Sequence, residues 1–297
     1  MAPTIPAQGQ VQTLSDDDWD TLVSRIKKGD CTPFLGAGIS ADLLPTGSKI
    51  AAEWSQRYGY PLPDTENLIK VSQFVGLHLR DFLRPKEIIR DIIETVGYPD
   101  FSDPTEPHAV LAKLPLPIYM TTNYDDFMFK ALEKVANNPQ KYPKLYINQW
   151  NSPTDQPTGR VDLNPSANEP VVYHFHGHKD HLDTMVLTED DYLDFLVRVS
   201  KDHELIPPRI QQALVATQLL FIGYSLGDMN FRVIFRGLVE ATKKSMRRVS
   251  IAVQTPPNRP EILQYLTQYF GSTGILVYWG TAREFVAKLD RHWRAAS

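Results

Sequence analysis

The sequence predicts an α/β fold in which a mostly parallel sheet is covered by helices on both faces. Short apolar runs alternate with segments of helical periodicity over most of the chain, and this alternation is typical of parallel sheets that are buried on both sides. A length of 297 residues allows a large core. The composition, 42% hydrophobic and 22% charged, excludes a fibrous or wholly disordered chain.

Composition and charge indicate in which cellular compartment the protein acts and which classes of partner it does not bind. The net charge of −4 creates no field that would attract nucleic acid or an anionic membrane. The single cysteine, Cys31, excludes an internal disulfide and a cysteine-based zinc site, and indicates a reducing compartment. No apolar run approaches the roughly 20 residues that span a bilayer, and the first residues lack the pattern of a secretory signal. We expect a cytoplasmic protein.

The domain organisation is predicted to be simple. A flexible tail, residues 1–15, precedes one domain that occupies residues 16–297. That domain carries a mainly helical insertion at about residues 42–115 and a loop insertion at about residues 137–169, which is rich in Asn, Pro, Asp and Thr.

The first predicted element is a helix that begins at Ser15. Ser15 and Asp18 form the pattern of a capping box, apolar residues follow at helical spacing, and Gly29 marks the end. The strands are predicted at residues 32–35, 117–122, 171–175, 219–224, 249–253 and 275–279. Further helices are expected from Phe127, from Thr188 with Asp191 as a capping pair, after Asp228, and over residues 284–293.

Ligands of parallel sheets bind beyond the carboxyl ends of the strands. Segments rich in glycine and polar residues follow the predicted strands at those ends, so we expect them to converge on one ligand site. They are residues 36–40, 121–125, 176–177 and 223–228.

The glycine turn at residues 36–41 fits the G-x-G-x-x-A fingerprint of Rossmann-like dinucleotide-binding folds. Such a turn brings the backbone close to a pyrophosphate and then starts a helix. The alternative is a turn that merely connects a strand to a helix, with Ser40 as the cap. A dehydrogenase would carry an acid-bearing second strand about 20 residues later, and residues 49–61 do not form a strand pattern.

Polar side chains follow the next two strands. Asn123 and Asp125 place an amide and a carboxylate beyond a buried strand, although such residues also serve as turns or caps. The histidines His174, His176 and His178 alternate, and would share one side if the strand continued that far. They suit acid–base chemistry or metal binding, so a metallohydrolase that uses them, with Asp125, remains an open hypothesis.

Taken together, these segments resemble the Sir2 (sirtuin) superfamily in its divergent bacterial Sir2-like branch. The resemblance spans about Trp19 to Trp293. It rests on four motifs in the family's order: GAGIS at 36–40, TTNYD at 121–125, HFHGH at 174–178 and FIGYSLGDMNFR at 221–232.

The resemblance implies a Sir2-like fold and assigns a role to each motif. Asn123 and Asp125 would line the nicotinamide and ribose pocket, and His176 would be the catalytic base. The implied contacts of NAD+ are Gly36, Ala37, Gly38, Ile39, Ser40, Thr122, Gly223, Ser225 and Asp228. Typical sirtuins differ at two places: they continue the glycine turn as G-I-P-D-F-R, where this chain has residues 41–46, and they carry a four-cysteine zinc ribbon.

With no zinc ribbon, the resemblance implies an NAD+ glycohydrolase that consumes NAD+ as substrate, without zinc. The branch includes antiphage effectors, which implies a homo-oligomer or a sensor or assembly partner such as an ATPase, an Argonaute-like or a STAND-type module. NAD-dependent protein deacylation and a non-catalytic sensor of NAD or ADP-ribose are the alternatives.

Overall fold

The computed structural model describes residues 14–135, 139–152, 163–202, 205–224 and 248–296. The strands within these residues are β1 Cys31–Leu35, β2 Ile118–Thr121, β3 Lys144–Ile147, β4 Val171–His174, β5 Gln218–Ile222, β6 Ser250–Gln254 and β7 Ile275–Trp279. They form one sheet in the order β3-β4-β2-β1-β5-β6-β7, and all neighbouring pairs run parallel. The predicted fold class is confirmed.

Helices precede, follow and separate these strands. In the described residues they are α1 Asp16–Lys27, α2 Gly47–Tyr58, α3 Leu68–Leu79, α4 Arg84–Val96, α5 Pro107–Ala112, α6 Phe127–Lys134, α7 Glu189–Lys201, α8 Pro208–Ala216, α9 Pro260–Ser272 and α10 Ala282–Ala295. Every one of them is too short or too polar to cross a bilayer.

Both faces of the sheet are buried. Successive strand residues point to opposite faces, and Phe34 and Leu35 of β1 accordingly belong to different core clusters. The cluster that contains Leu35 is completed by α1, α5, α6 and α10, and the one that contains Phe34 by α7, α8 and α9. Because neither face meets water along β1, β2, β4, β5 and β6, these strands carry continuous apolar runs instead of alternating ones.

The helices α2, α3 and α4 form a separate layer above one end of the sheet, within the predicted helical insertion. They bury Trp54 and Val71 in a third cluster, which also includes Met185 from the segment between β4 and α7. Lys86 of α4 forms a buried ion pair of 2.8 Å with Asp191 of α7. The layer is therefore attached to the body of the protein by apolar packing and by a charge pair.

Local capping signals set the helix boundaries as predicted. Ser15 and Asp18 make a reciprocal capping box at the start of α1, and Thr188 and Asp191 make another at the start of α7. Gly29 follows α1 with a φ of 68°, a conformation that suits glycine.

Three features differ from the sequence prediction. Residues 144–147, inside the predicted loop at 137–169, form β3, a half-exposed edge strand that pairs with β4. The helices α8 and α9 were not anticipated, although each begins with a proline in its first turn, a position that proline favours. Leu14, assigned to the flexible tail, is buried in the core. The helix predicted after Asp228 lies outside the described residues.

Candidate active site at the carboxyl end of the sheet

A cleft of about 1120 Å³ opens where the strands end. The loops after β1, β2, β4, β5 and β6 line one side of it, and the layer of α2, α3 and α4 lines the other. Several of the site residues predicted from the sequence line this cleft: Ala37, Gly38, Ser40, Thr122, Asn123, Asp125, His176 and Gly223. The structure thus brings together residues that are far apart in the sequence.

The glycine turn after β1 packs directly on the turn after β5. The Gly38 amide donates to the Gly223 carbonyl at 2.9 Å, and the Gly36 amide donates to the Ile222 carbonyl at 2.9 Å. Gly223 has a φ of 83°, and a Cβ at that position would lie 2.3 Å from the Ile39 nitrogen. Only glycine fits between these two backbones.

This packing already uses part of the backbone of the glycine turn, whose contact with the phosphates stays a prediction. The amides of Gly38 and Ile39 already donate to protein carbonyls, and the Ile39 side chain lies in the core, so Ile39 is a packing residue. Neither Gly36 nor Ile39 lines the cleft. The turn continues as one 3₁₀ turn, Ala37–Ser40, and α2 begins only at Gly47, so the helix expected directly after the fingerprint is missing there.

Ser40 is the polar side chain that this turn contributes to the cleft. It is buried, and its Oγ has no hydrogen-bond partner among the described residues. A buried hydroxyl without a partner is costly, which suits a group that a ligand completes.

Asn123 is held firmly just beyond β2. Its main-chain amide donates to the hydroxyl of Thr121 at 2.9 Å, and its side-chain Nδ2 donates to the Gly36 carbonyl at 3.3 Å. The Oδ1 atom of Asn123 is buried and finds no partner in the described parts of the chain. Asn123 therefore offers the cleft an oriented, uncharged acceptor.

Asp125 has a clear structural role. Its Oδ1 accepts the Phe127 amide at 3.0 Å at the start of α6, as the turn-or-cap alternative predicted. Burial raises the pKa of this carboxyl, and the nearby His108 opposes the shift. Asp125 lines the cleft, but at least one of its oxygens serves the fold.

His176 lies beyond the end of β4 and presents a neutral imidazole. Its ring packs edge-on against Phe195, with 5.1 Å between centroids, and its Nε2 is buried without a partner in the described residues. Burial lowers the pKa of His176 to about 4. The ring is therefore unprotonated near neutral pH and able to accept a proton.

The three alternating histidines do not act as one set. Because β4 ends at His174, His176 turns away toward Phe195, while the rings of His174 and His178 meet edge to face at 4.9 Å. Within the described ranges, no three His, Cys, Asp or Glu side chains stand close enough to hold a metal ion.

Tyr224 is a site residue that the motif analysis did not assign. Its hydroxyl donates to the Leu35 carbonyl at 2.9 Å and lies 2.8 Å from the hydroxyl of Thr122. Gln254, at the end of β6, also lines the cleft. Both residues directly follow or end a predicted strand, so the rule that ligands bind at carboxyl ends pointed to them.

Ser225 and Asp228, the remaining predicted contacts of NAD+, belong to residues 225–247 and lie outside the described residues. Their role stays a prediction.

Comparison with known proteins finds one matching family and several similar proteins. The model of a family described as "SIR2-like domain" matches residues 117–273. The chain is similar to a protein of Bacillus cereus (strain MSX-D12) named "NAD(+) hydrolase ThsA", with 27% identity over 80% of this chain and 45% of that protein. Proteins of the same name from Acinetobacter baumannii (strain 532279) and Enterococcus faecium are 27% and 24% identical, over 72% and 75% of this chain and 40% and 42% of theirs. The chain spans less than half the length of these curated relatives.

The contact between the two glycine turns predicts a large loss of stability when Gly223 is replaced. Gly223→Ala combines positive-φ strain with a backbone clash, and we expect it to lower the free energy of unfolding by roughly 3 kcal/mol or more in urea denaturation. The matched control is Gly59→Ala, whose φ is also positive at 69° but whose Cβ meets nothing within 4 Å, so about 1 to 2 kcal/mol is expected. Equal losses in the two variants would show that the turns do not depend on this contact.

Proposed function

The chain belongs to the SIR2-like domain family, and we propose that it is an NAD+ glycohydrolase that cleaves the bond between nicotinamide and ribose. The observation that carries the proposal is a set of buried polar atoms in one cleft: Ser40 Oγ, Asn123 Oδ1 and His176 Nε2. None has a hydrogen-bond partner in the part of the chain that the structure describes. A polar ligand that satisfies them would recover the free energy lost by their burial.

The size of the cleft supports a long substrate. Small-molecule sites usually occupy about 300 to 1,000 Å³, and this cleft, at about 1120 Å³, lies slightly above that range. A dinucleotide has two bulky ends joined by a diphosphate, and the glycine turn, Asn123 and His176 all line this one cleft. We assign the diphosphate to Ala37 and the hydroxyl of Ser40, and the nicotinamide ribose to Asn123 and His176.

The reaction requires little more than orientation and one proton acceptor. As the bond between C1 of the ribose and the nicotinamide nitrogen breaks, its electron pair neutralises the pyridinium ring and positive charge develops on the ribose. A water oxygen then bonds to C1, and the proton that it loses passes to His176 and on to solvent. Asn123 orients the ribose or the water without adding charge. The products are ADP-ribose, nicotinamide and one proton.

Water as the acceptor is supported by the cysteine content. The one cysteine of the chain, Cys31, is buried inside β1, and one thiol does not build the four-cysteine zinc ribbon that accompanies the acyl-lysine cleft of typical sirtuins. We therefore rank hydrolysis above protein deacylation.

The biological role is part of the proposal and is supported by the resemblance to the divergent bacterial Sir2-like branch, which includes antiphage effectors. The curated relatives are more than twice as long as the region they share with this chain, and each is named as an NAD(+) hydrolase. We propose that this domain belongs to a cytoplasmic antiphage effector. The effector depletes NAD+ once homo-oligomerisation or a sensor partner activates it.

We expect the assembled protein to release nicotinamide from NAD+. His176→Ala is expected to lower kcat by roughly 10² or more, the usual contribution of a positioned acid–base group, and Asn123→Ala by a similar factor, because the substrate or the water loses its orientation. Chromatography of the products checks this, and separates linear from cyclic ADP-ribose. His78→Ala, which removes an exposed histidine of α3, is the control and is expected to keep full activity. Full activity in His176→Ala would remove His176 from the mechanism, and an absence of nicotinamide release from the assembled wild type would overturn the proposed function.

The pKa of His176 also predicts the pH dependence. Burial lowers this pKa from 6.5 to about 4, so the ring accepts protons at every pH well above 4 and loses that capacity below it. We expect kcat/KM, which reports the groups of the free enzyme, to stay level between about pH 5 and 8 and to fall on the acid side near pH 4. A fall centred near pH 6.5 would mean that the base is an ordinary, solvated histidine.

A further inference from the structure

His174 is a fully buried histidine that the proposed reaction leaves without a role. It is the last residue of β4 and pairs in register with Thr121 of the neighbouring strand β2. Its Nδ1 lies 3.0 Å from the main-chain carbonyl oxygen of Asn123. A carbonyl oxygen only accepts hydrogen bonds, so the proton of the His174 ring is on Nδ1 and is donated to Asn123.

This contact completes a clamp around Asn123, which we define as the side chains of Thr121 and His174 together with the Gly36 carbonyl. Thr121 Oγ accepts the Asn123 amide at 2.9 Å and itself donates to the Leu35 carbonyl at 3.1 Å. His174 holds the Asn123 carbonyl, and Gly36 holds the side-chain Nδ2. Both main-chain polar groups of Asn123 and one end of its amide are therefore fixed by three different segments.

The buried surroundings of His174 keep its ring neutral, so that Nδ1–H remains the hydrogen-bond donor to Asn123. Burial lowers the pKa of the ring to about 3, and the neighbouring His178 lowers it further, so the ring stays neutral throughout the physiological range. Its Nε2 has no partner among the residues that the structure describes. Two main-chain groups act on the ring: Asn123, whose carbonyl accepts the hydrogen bond, and Gly177, whose effect is smaller. The hydrogen bond to Asn123 is therefore the stronger of the two polar contacts that orient the ring.

We infer that His174 is a positioning residue for the hydrolysis of NAD+: its Nδ1–H fixes the backbone of Asn123, and with it the direction in which the Asn123 amide faces the substrate. The inference rests on the proposed function for its kinetic consequence, but the clamp itself is a property of the protein alone. A displacement of about 1 Å in a positioning group is enough to lower a rate by about 10².

Two substitutions distinguish the hydrogen bond from simple filling of space. In His174→Asn the amide nitrogen lies as many bonds from Cα as Nδ1 does, so it can still donate to the Asn123 carbonyl. In His174→Gln the amide nitrogen reaches the position of Nε2 instead. We expect kcat for nicotinamide release to fall roughly 10-fold to 100-fold in His174→Gln, to return to within about 3-fold of wild type in His174→Asn, and the KM for NAD+ to change little in either.

The control is His178→Gln. It alters a buried histidine whose ring centroid lies 4.9 Å from that of His174 and whose Nδ1 accepts a hydrogen bond from the Asp180 amide. Its kcat is expected to stay within about 3-fold of wild type. Similar kcat values in wild type and His174→Gln, or equal losses in His174→Gln and His174→Asn, would overturn the inference, the second because it indicates packing alone.

Hydrogen–deuterium exchange tests the clamp independently of activity. Peptides that cover residues 122–126 are expected to exchange faster in His174→Gln than in wild type and His174→Asn. Unchanged exchange in all variants would refute the clamp, whether or not the protein hydrolyses NAD+. If the wild type releases no nicotinamide but the exchange pattern appears, the proposed function fails and the clamp stands.

Discussion

The backbone contact between the glycine turn after β1 and Gly223 after β5 is the constraint on which the cleft depends. In the strand order β3-β4-β2-β1-β5-β6-β7, the strands β2, β3 and β4 are added on one side of β1, and β5, β6 and β7 are added on the other. The order of the strands therefore reverses between β1 and β5. Ligands of open parallel sheets bind in the crevice at such a reversal. Gly38 and Gly223 pack backbone to backbone at this crevice, and the Gly36 carbonyl then orients Asn123.

Burial sets the protonation states of the site residues, and these matter for the reaction as much as the residue types do. The layer of α2, α3 and α4 places isoleucines such as Ile50 and Ile89 along the cleft, and low polarity disfavours charge. Burial lowers the pKa of His176 and raises that of Asp125. A neutral base beside an uncharged amide suits a substrate whose own positive charge moves from the nicotinamide ring to the ribose during the reaction.

The sequence predicted the strands and the capping boxes well because these depend on local patterns, such as the runs at β1 and β2 and the pairing of Thr188 with Asp191. It also predicted which segments meet, since the ends of parallel strands lie at one edge. It missed β3, a half-exposed edge strand of four residues, because its apolar run is short and stands within a segment rich in Asn, Pro, Asp and Thr. It also failed to predict that the amides of Gly38 and Ile39 would be used inside the protein, because backbone contacts between distant turns leave no periodic pattern.

The most direct test of the account is a crystal structure of His176→Ala with NAD+ bound. We expect the diphosphate to contact Ala37 and Ser40, and the bond between nicotinamide and ribose to lie beside Asn123 and the space left by the imidazole. NAD+ bound elsewhere, or in this cleft with its nicotinamide end away from Asn123, would contradict the assignment of the site.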